Sequence, residues 1–320
     1  MGAGFIHPLC GGTGCPNAPE AGRQSLASLH RDRTVRGRGP SPAARALSPS
    51  EEAGVEVARP KTLDAALAAL GSAPDAHLLA GGTDLMVAVN LQHLRPTAVV
   101  ALRRVDELRE LADGWIGAGV TYARLERWHR PALAELSRTV GSPQIRAAGT
   151  VGGNLGTASP AGDALPYLAA VDATVVLASG EGQRRLAWDE FLLGPKRTAR
   201  RPDEVIVGVE LPEVAPAREA FAKIGVRQAM VIATVNCCIL RWDDGTTRVA
   251  LGAVGPTVVR ARRAEQLLAD ERDPAEATLD EFQRLVMEEV APIDDHRSTA
   301  AYRRHAAGVL ARRTLERCLR

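Results

Sequence analysis

Between residues 55 and 212 the chain alternates between two patterns of apolar and polar residues. Helical spacing of apolar residues predicts a first helix over residues 61–74, with Thr62 as its N-cap and Gly71 as its stop. Further helices are predicted over residues 83–93, 122–128 and 131–140. Short apolar runs predict strands over residues 55–60, 76–82, 97–102, 114–121 and 173–179. This alternation predicts a mixed α/β or α+β domain over residues 55–215.

The pattern changes after a proline-containing, acidic junction at residues 212–216. Three strands suited to an antiparallel sheet are predicted over residues 220–226, 231–242 and 247–255, followed by helices over residues 262–270, 279–291 and 298–319. The second and third strands are joined by Asp243, Asp244 and Gly245, a sequence typical of a hairpin turn. We therefore expect a second domain over residues 218–320.

Residues 1–54 differ from the rest of the chain because they are rich in Gly, Pro, Ser and Arg and have no sustained periodicity. Such a segment buries too little apolar surface to offset the entropy lost on ordering. We expect residues 1–54 to be a disordered extension.

Composition excludes several classes of protein. The formal net charge is only +2 over 320 residues, which gives no electrostatic footprint for nucleic acid. The five cysteines have neither the number nor the spacing of a disulfide framework or a zinc site. No apolar run is long enough to span a membrane, and the N-terminus does not resemble a signal peptide. We expect a cytoplasmic protein without a membrane span.

Two glycine-rich segments are the candidates for chemistry. The first, Leu78–Leu85, contains a glycine pair that lets the backbone turn and removes the Cβ atoms that would block a ligand. Its amide groups could bind an anion at the start of the next helix, where Asp84 is expected to act as an N-cap. The second, Thr150–Asp163, repeats the glycine pair and adds neutral hydrogen-bonding side chains and one carboxylate. Either segment alone is more typical of a tight turn, but the two together favour a binding site.

The usual nucleotide motifs are absent from both glycine segments. Neither G-x-G-x-x-G nor G-x-x-x-x-G-K-[ST] occurs where a dinucleotide or P-loop site requires it. The residues by themselves therefore predict a phosphate-bearing cofactor bound by two backbone loops, and they go no further.

The segments "LLAGGTDLMV" and "IRAAGTVGGNLGTASPAGDALPYLAAVDA" strongly resemble the FAD-binding subunit of molybdenum-containing hydroxylases. This is the family of xanthine dehydrogenase, aerobic carbon monoxide dehydrogenase and 4-hydroxybenzoyl-CoA reductase. The resemblance covers residues 55–320 and ends with "PIDDHRSTAAYRR". It implies an α+β architecture, in which a two-subdomain FAD-binding fold of the vanillyl-alcohol-oxidase type is followed by a small C-terminal domain with an antiparallel sheet and helices.

The same resemblance implies which residues bind FAD. Residues 80–85 should hold the pyrophosphate with the start of the second segment, and Ser159 and Asp163 should also contact the cofactor. The full implied set is Ala80, Gly81, Gly82, Thr83, Asp84, Leu85, Thr150, Gly152, Gly153, Asn154, Ser159 and Asp163. Two positions depart from the family, because Val140 stands where a relative packs an aromatic residue against the flavin, and Val231 stands where many relatives have an acidic residue.

The implied function is electron transfer rather than bond-making. Substrate would react at a molybdenum centre in a large partner that contains molybdopterin, and electrons would pass through 2Fe–2S clusters in a small partner to FAD and then to an external acceptor. No catalytic residue and no metal ligand is expected in this chain. Two alternatives stay open, namely a free-standing FAD-dependent oxidase of related fold and a nucleotide-binding module without a redox role.

Overall fold

The computed structural model describes residues 54–269 and 271–320. The predicted disordered extension lies outside the described residues, apart from Gly54. The described residues belong to one compact unit.

Short strands and helices alternate through the first part of the unit and are followed by longer ones near the C-terminus. The strands are β1 Glu56–Ala58, β2 His77–Leu79, β3 Ala98–Ala101, β4 Leu111–Ala112, β5 Trp115–Gly117, β6 Thr174–Ser179, β7 Gly182–Ala187, β8 Leu192–Gly194, β9 Arg197–Thr198, β10 Val205–Glu210, β11 Arg218–Ile224, β12 Val235–Arg241, β13 Thr247–Gly252 and β14 Val259–Arg260. The α-helices are α1 Leu63–Ser72, α2 Leu85–Asn90, α3 Tyr122–Leu125, α4 Pro131–Thr139, α5 Pro143–Ala148, α6 Val151–Thr157, α7 Ala164–Ala170, α8 Trp188–Phe191, α9 Arg262–Leu267, α10 Glu276–Glu289 and α11 Ala300–Leu319.

The first half of the unit contains two main sheets. A small parallel sheet has the order β1-β3-β2 and contributes, with α1, to one apolar cluster. An antiparallel sheet has the order β4-β5-β10-β6-β7, so that β10 lies at its centre between β5 and β6. Helices α3, α4, α6 and α7 contribute to the apolar cluster that includes this second sheet. These layers build the first part of an α+β fold.

The last part of the chain is a four-stranded antiparallel sheet in the order β11-β12-β13-β14. The predicted hairpin joins β12 to β13, with Gly245 at a φ of +93°. One face of this sheet packs with α10 and α11, and the other joins the cluster of α4 and α7. Cys237 and Cys238 follow this division because they are buried on opposite faces.

The ends of two predicted helices can be compared with the observed ones. Thr62 caps α1 by accepting a hydrogen bond from the Ala65 amide at 3.2 Å, as expected. Gly71 does not stop α1, because it lies within the last turn and the helix ends at Ser72. The helix predicted over residues 83–93 is only the six-residue α2, none of whose residues is buried, so tertiary packing does little to lengthen it.

Candidate cofactor-binding site

The two glycine segments line a single cavity of about 690 Å³, a volume typical of small-molecule sites. Its wall comes from residues 77–85, 140–163 and 230–232, with further residues at 102–122, 200 and 206. The residues implied by the family resemblance all line it, namely Ala80, Gly81, Gly82, Thr83, Asp84, Leu85, Thr150, Gly152, Gly153, Asn154, Ser159 and Asp163. The structure therefore brings together every candidate site residue.

Direct backbone contact joins the two segments at Gly81. A Cβ atom at this position would lie 1.9 Å from the Ala148 carbonyl oxygen and 3.0 Å from the Gly149 amide nitrogen. Gly82 follows with a φ of +73°, a conformation that residues with a side chain rarely adopt. The first glycine pair is thus needed because the loop after β2 turns tightly against the chain just before α6.

Free amide groups are the main chemical feature of the first segment. The amides of residues 81–84 donate no hydrogen bond to any group within residues 54–269 and 271–320. Consecutive free amides in a tight turn form a concave site for an anion such as a diphosphate. Asp84 stands at the N-cap position of α2 but is exposed, and its side chain accepts no capping hydrogen bond. The prediction that the Asp84 carboxylate caps the helix is therefore wrong.

The second segment is not a loop at its start but the first turn of α6. Thr150 is the N-cap, and its hydroxyl accepts a hydrogen bond from the Gly153 amide at 3.0 Å. The Gly152 amide donates to the Ala118 carbonyl at 2.8 Å, and a Cβ atom at Gly152 would lie 2.5 Å from the Ala118 Cβ. Because these amides already have partners, the contribution of Gly152 and Gly153 is steric. Gly152 lets α6 approach Ala118 closely, whereas a Cβ atom at Gly153 would meet only the Thr150 hydroxyl, at 3.1 Å.

Two buried polar atoms in the cavity wall lack a protein partner among the described residues. They are Oδ1 of Asn154 and the hydroxyl of Tyr122. Burial, with a smaller effect of the nearby Asp163 charge, raises the pKa of Tyr122 well above its ordinary value, so this hydroxyl stays protonated and can donate. Sequence reasoning missed Tyr122 as a site residue. The available signal was its position directly after the strand predicted over residues 114–121.

Asp163 provides a buried carboxylate in the wall of the cavity. Its carboxylate lies 2.6 Å from Nζ of Lys223 on β11, and it accepts a hydrogen bond from Nδ2 of Asn236 on β12 at 2.8 Å. Burial raises the pKa of Asp163, and the adjacent Lys223 opposes that rise. Lys223 and Asn236 were not predicted as site residues, since they lie in strands 60 and 73 residues away in sequence.

The rim of the cavity is apolar on the side formed by residues 230–232. Met230 and Ile232 are 55% and 61% exposed, and Val231 lines the cavity between them. Val140 also lines it, so both positions that depart from the family pattern border the site. An exposed apolar rim is suited to a ligand that carries a large aromatic ring.

The donor set fits a dinucleotide cofactor. Free amides provide for a diphosphate, and unpartnered Asn154 and Tyr122 provide for polar groups of the ligand. Within the described part of the chain, no group of three or more His, Cys, Asp or Glu side chains could hold a metal ion. None of the helices in that part combines the length and the apolarity needed to cross a bilayer.

Comparisons with known proteins show which family this chain is similar to. The family model described as "FAD binding domain in molybdopterin dehydrogenase" matches residues 53–214, and that of the "CO dehydrogenase flavoprotein C-terminal domain" matches residues 220–318. The nicotinate dehydrogenase FAD-subunit of Eubacterium barkeri is 34% identical over 230 residues, which is 65% of this chain and 77% of the relative. The xanthine dehydrogenase FAD-binding subunit of Escherichia coli O157:H7 is 29% identical over 273 residues, which is 80% of this chain and 93% of the relative.

A solved structure shares the fold as well. A chain of carbon monoxide dehydrogenase from Hydrogenophaga pseudoflava superposes with a TM-score of 0.76 at 30% sequence identity, over 82% of this chain and 96% of that chain. The resemblance seen in the glycine segments thus extends through both parts of the fold. The chain belongs to the family of FAD-binding subunits of molybdopterin dehydrogenases.

Proposed function

We propose that this chain is the FAD-containing electron-transfer subunit of a molybdenum hydroxylase. In this role it receives electrons from 2Fe–2S clusters and delivers them to an external acceptor. The observation that carries the proposal is the packing of Gly81 against the Ala148–Gly149 peptide. This contact places the free amides of residues 81–84 and the polar side chains of residues 154–163 around one cavity.

Each part of the cavity has a task in holding the cofactor. The amides of residues 81–84 bind the diphosphate, and the absence of Cβ atoms at Gly81 and Gly152 keeps the two walls close together. Asn154, Tyr122, Ser159 and Asp163 provide hydrogen-bonding groups for the remaining polar atoms of the ligand. Ala80, Thr83, Leu85, Thr150 and Gly153 complete the wall.

A bound flavin supplies redox chemistry, since it exchanges electrons singly with iron–sulfur clusters and in pairs with other acceptors. The chain's own residues bind and orient the cofactor. The apolar residues Met230, Val231 and Ile232 border the opening and limit the access of water to that end of the cavity.

Partners are part of the proposal. The relative from Hydrogenophaga pseudoflava is the medium chain of carbon monoxide dehydrogenase, and the solved structure is of that enzyme without the Mo-pyranopterin moiety of its molybdenum cofactor. By analogy, we infer that this chain assembles with a large subunit that contains molybdopterin and a small subunit that contains 2Fe–2S clusters. The complex is expected in the cytoplasm, and no nucleic acid takes part.

The test is to purify the full chain together with whatever chains associate with it. Purified protein should be yellow, should release FAD on denaturation, and should be bleached by dithionite. Co-purifying chains should contain molybdenum and iron in the amounts that a molybdopterin subunit and a 2Fe–2S subunit require. A colourless chain that stays colourless after incubation with FAD would refute the proposal.

Two other outcomes would favour the alternatives. Bound FAD in a chain that purifies alone and oxidises a small substrate directly would indicate a free-standing oxidase. A bound nucleotide that does not respond to dithionite would indicate a nucleotide-binding module without a redox role.

A further inference from the structure

A second pocket lies in the C-terminal part of the fold, where β11 begins and β12 ends. This is the opposite end of the two strands from residues 230–232, which border the cofactor cavity. The pocket has a volume of about 200 Å³ and shares no described residue with that cavity. We call it the arginine pocket, because three arginines line it, namely Arg218, Arg241 and Arg272.

The central arginine of this pocket is buried without a counter-charge. Arg241 is only 6% exposed, and burial lowers its pKa because no carboxylate of the described residues pairs with it. Its guanidinium donates to the Thr247 hydroxyl at 2.6 Å, to the Arg272 carbonyl at 2.9 Å and to the Glu271 carbonyl. These neutral acceptors fix the position of the guanidinium, but they do not neutralise it.

Other buried arginines of the described residues show how unusual this is. Arg130, Arg260 and Arg303 are buried to a similar degree, and each has a carboxylate oxygen at 3.5 Å or less. A buried charge without a partner is costly, and a counter-charge removes much of that cost. An anion that entered the arginine pocket would give Arg241 the partner that the other three already have.

Two further arginines add positive charge at the same place. Arg218 stands directly opposite Arg241 in the register of β11 and β12, an arrangement of like charges that is destabilising by itself. Its side chain donates only to the Ala217 carbonyl, at 3.2 Å, among the described residues. Arg272 is also exposed. Because Asp243 is the one acid among the lining residues that the structure describes, the pocket keeps a formal charge of +2.

The remaining groups leave room for a ligand that carries this charge. The carboxylate of the next acid, Asp244, accepts a hydrogen bond from the Thr246 amide at 2.8 Å and does not line the pocket within the described chain. Trp242 lines it, with its indole N–H donating to the Val214 carbonyl at 3.2 Å, and Leu319 of α11 adds a second apolar group. Guanidinium groups bind phosphate through two parallel hydrogen bonds, which makes phosphate the suitable anion.

We propose that the arginine pocket binds a phosphate group, carried by free phosphate or by a small phosphorylated molecule, between Arg218, Arg241 and Arg272. The phosphate offsets the buried charge of Arg241 and joins the start of β11, the β12–β13 hairpin and the end of α11. This inference goes beyond the proposed electron transfer and does not depend on it, since the pocket is separate from the cofactor cavity.

The test is the binding of inorganic phosphate to the full chain, measured by isothermal titration calorimetry at constant ionic strength. FAD is present in excess, so that the free amides of residues 81–84 are occupied. The wild type should show one site, and the double variant Arg218→Met with Arg272→Met should lose at least about tenfold in affinity, because charged hydrogen bonds are removed. Both side chains are exposed, so this variant should fold, and Arg241 stays in place to hold the 271–272 carbonyls.

Arg313→Met is the matched control. Arg313 is an exposed arginine on α11, the helix whose end lines the pocket, but it is not itself among the described lining residues. Its phosphate affinity should equal that of the wild type. A loss in Arg313→Met as large as in the double variant would show that phosphate responds only to the general surface charge, and would overturn the proposal.

Trp242 reports where the phosphate binds. Tryptophan fluorescence should change on addition of phosphate to the wild type, and Trp242→Phe should lose this change while it still binds phosphate in the calorimeter. An unaltered fluorescence change in Trp242→Phe, unaltered affinity in the double arginine variant, or no phosphate binding by the wild type would each overturn the proposal.

Glycerol 3-phosphate distinguishes the two sources of the phosphate group. Tighter binding of glycerol 3-phosphate than of inorganic phosphate, with the same dependence on Arg218 and Arg272, would identify a phosphorylated small molecule as the ligand. Tighter binding of inorganic phosphate, with that dependence, would identify free phosphate.

Discussion

Glycines in this chain serve different purposes that only their surroundings distinguish. Gly81 lies where a methyl group would overlap the Ala148 carbonyl, and Gly152 lies where it would overlap Ala118. Gly71, by contrast, is in the last turn of α1, where a methyl group would meet nothing within 4 Å. The first two glycines are required for the approach of two walls of the cavity, and the third has no such role.

The variant Gly81→Ala should lose FAD binding. The added Cβ atom has to push the 80–84 turn away from Ala148, because the atom that it meets is backbone and cannot move aside as a flexible side chain would. Overpacking of this kind costs about 1–3 kcal/mol of stability, and it displaces the amides that bind the diphosphate. We expect a loss of at least about tenfold in FAD affinity, measured by fluorescence titration.

Gly71→Ala provides the control for this variant. A helical glycine in open space should gain about 0.5–1 kcal/mol of stability when replaced by alanine, because alanine loses less backbone entropy on folding. FAD affinity should not change. Equal FAD affinity in the two variants would contradict the packing role of Gly81.

Tyr122→Phe tests the unpartnered hydroxyl in the cavity wall. The apoprotein should be unchanged or slightly more stable, because a buried hydroxyl without a partner in the described residues is removed. FAD affinity should fall by about 1 kcal/mol, or about fivefold, because one hydrogen bond to the ligand is lost. The measurement is FAD titration together with chemical denaturation of the apoprotein.

Tyr167→Phe is the matched control for the tyrosine prediction. The Tyr167 hydroxyl is also buried without a partner among the described residues, but it lies in the core on α7 and does not line the cavity there. Its removal should leave FAD affinity unchanged. A similar loss in both variants would mean that Tyr122 acts through general packing.

At the scale of elements, the sequence predicted the apolar strands of the C-terminal sheet, which are bounded by turn residues. The three strands predicted over residues 220–255 correspond to β11, β12 and β13. Helix α6 was missed because glycines and polar residues dominate it, and it forms through the Thr150 cap and its packing on Ala118. The central strand β10 was not among the predicted strands, because a short buried run with a glycine in its middle does not distinguish a strand from a helix.

The site itself could be predicted only in part. The glycine segments are local motifs, so their residues were found together. Lys223 and Asn236 carry no local motif, and only the antiparallel register of β11 with β12 places them beside Asp163. Contacts of this kind depend on the assembled sheet and cannot be seen in a single sequence.

Helix α11 is anchored by a charged cluster at its start. Arg303 is 2% exposed, donates to the carbonyls of Thr234 and Ala253, and pairs with Asp295 at 2.6 Å. Burial by itself would raise the pKa of Asp295, but hydrogen bonds from Arg297 and Arg303 hold it well below its ordinary value. The Asp295 carboxylate therefore stabilises the fold only while it is ionised.

Asp295→Ala should destabilise the protein by about 3–5 kcal/mol at neutral pH, because it leaves the buried Arg303 charge without its partner. Since the native pKa is depressed, the stabilisation is present above the ordinary value of 3.8 and is lost as the pH falls below it. The wild type should thus lose stability in acid more steeply than the variant does. Urea denaturation at several pH values measures both effects.

Asp280→Ala is the control, because Asp280 of α10 also pairs with an arginine of α11. Asp280 pairs with Arg312 of α11, but its side chain is 68% exposed, and surface pairs contribute at most about 1 kcal/mol. A loss as large as that of Asp295→Ala would contradict the role given to burial.

At the scale of the whole molecule, the cavity is assembled from distant parts of the chain. The turn after β2, the start of α6, the 159–163 segment and residues 230–232 all contribute to its wall. Lys223 and Ala253 tie the C-terminal sheet to the 159–163 segment. A ligand that fills the cavity therefore contacts segments that are held by each of the three main sheets.

Binding of FAD should consequently raise the stability of the described unit as a whole. A ligand that binds only the native state stabilises it by about 2.7 kcal/mol at 100 times its dissociation constant, which for a unit of this size raises Tm by about 5–10 °C. Thermal unfolding followed by circular dichroism measures the shift.

FMN lacks the diphosphate that the free amides of residues 81–84 are suited to bind, so it should produce a much smaller shift at the same concentration. ADP has the diphosphate without the flavin, so its Tm shift should lie between those of FMN and FAD. Gly81→Ala should reduce the Tm shifts caused by FAD and ADP more than the shift caused by FMN. Equal shifts with FMN and FAD would show that the 81–84 turn is not the diphosphate site.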